Sequence, residues 1–416
     1  MIDLPTRQQE EGRRQQQNYY DVLQRQNNNH HKNLKQQKKY DLEYTCDAQN
    51  SPAMLPQGDV IRRSLHAVII GTMKGGTQAL HSTLTKYHPQ ILSTGKMHGE
   101  LHYFTTQGLR RNLPEEHPGY PPHIINMDNN NNVNITNHRI PRQDLRDGFE
   151  YVIKDRTAFQ KRRHGKIDIA NDELNSDKVG IHSAPLYLFL SRSVAARLMC
   201  VCPWTKIIVL LRNPIDRAFS HYNFIISQNP PPDSSNSKHH LRIPTTFDQF
   251  VHDDIRLLTK MGVIREEWKS QEEFDSFAGS NEEFEAWEKY VLRAKHKGPV
   301  GRGLYAIQLE IYIEEFIKVH KSVKDDLLVL QSEETREDTL GAYQRTVEFL
   351  GLEQRMPRRG DSVFDRDHHK TKYTHVGISD ETYKLLYNVF EPYNKRLAKL
   401  LGDDWGGVWD DDNNNV

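Results

Sequence analysis

Val68-Ile69-Ile70-Gly71-Thr72-Met73-Lys74-Gly75-Gly76-Thr77-Gln78-Ala79-Leu80 is the stretch on which the reading of this chain turns. Three β-branched apolar residues predict a buried strand, the glycines at 71, 75 and 76 predict a tight loop, and Thr77 opens an amphipathic helix. A strand, a Gly-rich loop and a helix in this order form an anion cradle. The loop turns successive backbone N–H groups toward one point, and the helix N-terminus behind it adds roughly half a positive charge.

The loop departs from the triphosphatase pattern GxxxxGK[ST] in one respect. Gly71, Gly76 and Thr77 keep its frame, but no Lys stands between Gly76 and Thr77. The only cation, Lys74, sits earlier, inside the loop. A Lys at that place lies against the outer oxygens of a 5′ group and does not reach over a β,γ-phosphate pair.

A second apolar run, Lys206-Ile207-Ile208-Val209-Leu210-Leu211, has the composition of a strand buried on both faces of a parallel sheet. It ends in Arg212, where a phosphoryl-transfer ATPase places an Asp for Mg²⁺. Pro214 suits the first turn of a helix, which carries Ser220 about two turns along. Arg212 and Ser220 are therefore expected at the carboxyl edge of the sheet, where ligands bind in open α/β folds. The pattern predicts an anionic nucleotide held by cations and hydroxyls with no metal.

The two stretches, IIGTMKGGTQAL (69–80) and IIVLLRNPIDRAFSHY (207–222), resemble the 5′-phosphosulfate loop and the 3′-phosphate motif of sulfotransferases that use 3′-phosphoadenosine 5′-phosphosulfate (PAPS). With HPQI (88–91) and ELHYF (100–104), the likeness is greatest to the carbohydrate branch of the Golgi, in particular the heparan sulfate sulfotransferases. It spans roughly Leu65 to Trp409, with insertions. The resemblance implies a P-loop-type three-layer α/β sandwich with a central parallel sheet, PAPS as co-substrate and a carbohydrate acceptor.

It also implies roles. Glu100 falls on the Glu of the family's E-x-H-F-F stretch and is the candidate base that takes the acceptor's proton, with His98 and His102 as competitors. Lys74 neutralises charge on the transferring group, and the N–H groups of Gly75, Gly76, Thr77 and Gln78 hold the 5′-phosphosulfate. Arg212 and Ser220 hold the 3′-phosphate. Lys370 and Lys372 occupy the place of a basic loop that closes over it in the family, without its glycine.

One landmark is altered. Ile181-His182-Ser183-Ala184-Pro185-Leu186-Tyr187 resembles the family's cleft segment G-E-K-[ST]-P-x-Y, with Pro185 and Tyr187 matched. His182 and Ser183 replace its Glu and Lys.

The remaining sequence sets the boundaries. Residues 1–62 are rich in Gln, Asn, Lys and Arg and are expected to be disordered, because they offer little apolar surface to offset ordering entropy. The expected catalytic domain is 63–409, with insertions at about 105–147 and 228–245, and residues 410–416 form an acidic, Asn-rich tail. No apolar run has the length of a membrane span, and no signal segment follows Met1, although the family resemblance implies the Golgi lumen. Asn134-Ile135-Thr136 is a glycosylation sequon for a chain that enters that route.

Lys and Arg total 56 against 56 Asp and Glu, which argues against nucleic acid as a partner and leaves anionic substrates to local patches. One such patch is Lys154, Arg156, Lys161, Arg162, Arg163 and Lys166. Three cysteines give no disulfide framework, and Cys200 and Cys202 read as core thiols. Phe149-Glu150-Tyr151-Val152-Ile153 reads as a strand. Helices are expected within 247–292, from Tyr305, over Thr339–Leu350 and over Asp380–Leu401, with a strand at Leu327–Leu330.

Three alternatives accompany this reading: a nucleotide kinase of the same fold, a catalytically inactive glycan-binding homologue, and a sulfotransferase for small hydroxylated molecules.

Overall fold

The computed structural model describes residues 46–47, 53–57, 59–94, 102–105, 109, 112–118, 126–127, 133–134, 140–152, 178–228, 246–265, 270–294, 298–355 and 377–409. Glu100, His98, Lys370, Lys372 and the basic patch from Lys154 to Lys166 lie outside them. The chain divides into two compact units. One takes Leu42–Arg212 and Gln308–His375, and the other includes Asn213–Ile307 and Val376–Val416.

The first unit is built on a five-stranded parallel sheet. Its strands are β1 (Ala67–Gly71), β2 (Ile91–Ser93), β3 (Val179–Ser183), β4 (Lys206–Leu211) and β5 (Leu327–Gln331), in the order β2-β3-β1-β4-β5. The strand that leads into the Gly-rich loop is therefore central. It pairs with β3 through Ile69 and Ser183 and with β4 through Ile69 and Ile208. Ile207 to Leu211 are all buried, as expected for a strand covered on both faces.

Helix α1 (Thr77–Tyr87) returns across the sheet. It packs Leu80 and Leu84 into one cluster with Ile69, Ile181, Ile208 and Leu330. Tyr343 and Val347 from Thr339–Phe349 complete that cluster, and burying each such aliphatic side chain contributes about 1.5–3 kcal/mol. The alternation of strand and helix, with the five strands of the central sheet all parallel and helices flanking it, is the α/β architecture predicted above.

Two predictions made from the sequence are corrected. Residues 142–152 are helical (α2), where 149–153 reads as a strand. Leu145, Phe149 and Val152 are all buried, a four- and three-residue spacing that belongs to a helix and appears only when Leu145 is included. Arg146, one position on, is buried too and donates to the carbonyls of Val201 and Ala53. The second correction concerns Cys200, which is disulfide-bonded, while Cys202 is a buried free thiol whose ionisation burial pushes far up.

The second unit is helical where it is described. Helix α5 (Pro214–Gln228) starts under an Asn213 cap, whose Oδ1 accepts from Ile215 N at 2.9 Å. It is followed by α6 (Phe247–Met261), α7 (Gln271–Phe277) and α8 (Asn281–Ala294). The long α12 (Asp380–Leu401) is capped by Ser379. Asp248 of α6 accepts from Ser379 Oγ at 3.1 Å and Thr382 Oγ1 at 2.6 Å, which ties the start of α12 to α6. The labels α3 (Leu186–Phe189), α4 (Ser191–Val201), α9 (Tyr305–Lys318), α10 (Ser332–Glu337) and α11 (Thr339–Phe349) complete the helices used below. Among the described residues, no helix is long and apolar enough to cross a membrane.

Candidate active site

The loop after β1 is held by its own backbone and by the neighbouring strand. Thr72 N–H donates to Leu210 O at 2.7 Å, and Gly75 N–H closes a turn onto Thr72 O at 2.9 Å. Lys74 adopts φ 73° and Gly76 φ 90°, both in the left-handed region, where glycine is at ease and a Lys is held only by its surroundings. Gly76 is the N-cap of α1, and no side chain caps the helix. The N–H groups of its first turn have no intrahelical acceptor and face outward from an eleven-residue helix, which suits an anion.

Residues from two other strands hold this geometry. Arg212, one residue past β4, donates from Nη1 to the Lys74 carbonyl at 3.3 Å. Ser332, one residue past β5, donates from its buried Oγ to the Gly75 carbonyl at 2.6 Å. Three consecutive strands in the order β1-β4-β5 thus converge on the same five residues at the carboxyl edge of the sheet. Because the Gly75 amide is engaged inside the loop, the outward-facing donors are those of Gly76, Thr77 and Gln78. Two positive side chains therefore stand at this edge, Lys74 on the loop and Arg212 just past β4, both half-buried.

Lys74, Gly75, Gly76, Thr77 and Gln78 are consecutive, and Arg212 reaches them at the Lys74 carbonyl, while the Gly75 N–H, expected to face the ligand, is spent on the Thr72 carbonyl. Ser220 lies in the other unit, on α5, 7% exposed. Sequence reasoning misses Ser332. Its signal is present, because Leu327-Leu328-Val329-Leu330 is a third apolar run with a hydroxyl residue two positions after it, but the contact depends on β5 lying beside β4.

The stretch that follows the candidate base is also held firmly. His102 has φ 49°, and its carbonyl accepts from Thr105 N at 3.0 Å and Thr105 Oγ1 at 2.9 Å. Tyr103 donates to Leu145 O at 2.7 Å from a fully buried position. Phe104 N–H donates to Tyr187 Oη at 2.9 Å, and Arg197 Nη1 donates to Phe104 O. The His102 ring meets the Tyr187 ring edge-on at 6.2 Å. Tyr187 is fully buried, so this residue of the altered landmark packs inside the unit and grips the neighbouring stretch. His182 and Ser183, at the end of β3, are buried as well.

Comparison with known proteins places these features. The family model described as sulfotransferase domain matches residues 65–376. Among solved structures, the chain is similar to a sulfotransferase from Alicyclobacillus acidocaldarius, at 20% identity over 82% of this chain and 98% of that chain, with a TM-score of 0.44. It is also similar to the sulfotransferase domain from the Synechococcus PCC 7002 olefin synthase, at 16% identity over 78% and 94% of the respective chains, with a TM-score of 0.32. No curated protein matches the chain.

Proposed function

The chain belongs to the sulfotransferase family, and on that premise we propose that it transfers the sulfuryl group of PAPS to a hydroxyl of a carbohydrate resembling a glycosaminoglycan. Sulfuryl transfer from PAPS is the activity of the family.

The observation that carries it is the loop from Thr72 to Gly76, with its cation inside the turn and Arg212 anchored to its backbone. An α1 N-terminus without a side-chain cap would supply N–H donors for the 5′-phosphosulfate, and Lys74 in the same loop would neutralise charge as the S–O bond to the donor lengthens. Fixed donors and cations in such a place contribute several kcal/mol each to barrier reduction, on the order of 3. The family resemblance assigns the 3′-phosphate to Arg212 and Ser220, and a basic loop to Lys370 and Lys372. Glu100 takes the acceptor proton.

The ELHYF stretch supports the carbohydrate branch over enzymes for phenols and sterols. The bonded Cys200 and the sequon at Asn134 support maturation in an oxidising, glycosylating compartment such as the Golgi lumen. The catalytic domain of this reading spans 63–409, with 1–62 and 410–416 outside it.

The test is transfer of labelled sulfate from PAPS to partly desulfated heparan, with a simple phenol as the competing acceptor. Label on heparan that Glu100→Gln abolishes supports the reading. Label on the phenol alone moves the chain to the small-molecule branch. Heparan binding without transfer to either would mark a glycan-binding homologue.

A further inference from the structure

The short segment Ala184–Phe189 touches two parts of the site, and its bond to one of them, Phe104, spans 83 residues of sequence. It begins beside β1, where Ala184 N–H donates to Ile69 O at 2.9 Å, three residues before the loop starts at Thr72. Leu188 then lies so close to Gly71 that a Cβ on that glycine would come within 2.5 Å of the Leu188 Cβ. The adjacent residue faces the other way. Tyr187 Oη accepts the Phe104 N–H, its ring abuts His102, and its own carbonyl accepts from Tyr312 Oη at 3.2 Å.

Arg197 of α4 takes the Phe104 carbonyl, so both polar groups of that residue's backbone are bonded to side chains. One dipeptide, Tyr187-Leu188, therefore touches the start of the anion loop with one side chain and the stretch after residue 100 with the other. In-line transfer needs donor and acceptor groups placed to better than about 1 Å, and a misplacement of that size costs on the order of 100-fold in rate.

We propose that Tyr187 is a positioning residue, whose hydroxyl fixes the His102–Thr105 stretch against the donor loop. The inference rests on the functional reading given above. Phenylalanine would keep the ring and the packing on His102 but would leave the Phe104 N–H without its acceptor.

The experiment compares wild type with Tyr187→Phe by three readouts. These are hydrogen exchange at the Phe104 amide, binding of adenosine 3′,5′-bisphosphate by calorimetry, and kcat and KM for PAPS with desulfated heparan as acceptor. The expected result is exchange at Phe104 accelerated at least tenfold, bisphosphate affinity within twofold of wild type, KM for PAPS within twofold, and kcat lowered 10- to 100-fold. Unchanged exchange overturns the proposal, as does an unchanged kcat. Bisphosphate affinity lowered tenfold overturns it as well, because Tyr187 would then serve the donor loop itself. If wild type binds no bisphosphate, the functional reading fails on its own, and exchange at Phe104 still decides whether Tyr187 fixes this stretch.

Discussion

Arg212 Nη1 donates a hydrogen bond to the backbone carbonyl of Lys74 at 3.3 Å, so the cation at the end of one strand holds the loop that carries the other cation. The bond uses the Lys74 backbone and not its ammonium. Removing the two side chains therefore has different consequences.

Calorimetry with adenosine 3′,5′-bisphosphate should show Lys74→Ala and Arg212→Ala each weakening binding by at least tenfold, about 1.4 kcal/mol. Only Arg212→Ala should also raise amide exchange in the loop. Equal loop protection in both variants would show that the Arg212 contact does not order it.

Gly75→Ala should damage the loop without touching a charge. A Cβ there would lie 2.8 Å from Thr72 Cγ2 and 2.9 Å from Leu210 O, the second of which is strand backbone that cannot move aside. Gly76→Ala faces no close atom except Leu210 Cδ2 at 3.9 Å, and its difficulty is the left-handed φ of 90°. Both should lower stability by about 1–2 kcal/mol, read by urea unfolding, with Gly75→Ala also losing bisphosphate binding. Normal binding by Gly75→Ala would contradict the tight seat of the loop on β4.

Stability should vary with pH through Glu314 on α9. Burial pushes its carboxyl up to about 7, opposed by Lys318 and Arg192. Between the ordinary value of 4.5 and 7 the native chain holds a proton that the unfolded chain has released. Its contribution therefore falls as pH rises across that window and is level above it. Burial lowers His66 and His81, so the native chain resists protons that the unfolded chain accepts below 6.5, and their contribution falls as pH drops. Glu314→Gln should accordingly gain more stability over wild type at pH 8 than at pH 5 in thermal melts. A gain of the same size at both would exclude this carboxyl as the cause.

In the helical unit, Arg396 of α12 pairs bidentately with Glu283 of α8, both contacts at 2.7 Å, with side-chain exposures of 7% and 0%. Breaking such a pair from one side leaves a buried charge and costs about 3–5 kcal/mol. Arg396→Met should destabilise by that order in urea, and adding Glu283→Leu should recover a large part of it. No recovery would mean that Glu283 matters chiefly through its other bond, from Gly279 N at 2.7 Å.

Much of the fold and of the anion loop is legible in the residues themselves. The β1 and β4 strands are continuous apolar runs, and the Gly76 turn needs a residue that tolerates positive φ, so the composition of those stretches leaves few alternatives. The helix over Asp380–Leu401 shows its Ser379 cap and 3.6-residue period openly. Where the sequence misleads, the window is too short. Phe149 to Ile153 is aromatic and β-branched, and only Leu145 one turn earlier reveals the helix.

Local chemistry, then, determined the elements and the cation at each strand end, because strand burial, loop φ and helix capping depend on neighbours in the chain. Only tertiary structure decided which ends meet. Ser332 reaches Gly75 across 257 positions because β5 lies beside β4, and Phe104 reaches Tyr187 because β3 lies beside β1. Strand order is set by long-range packing, and no local pattern of residues encodes it.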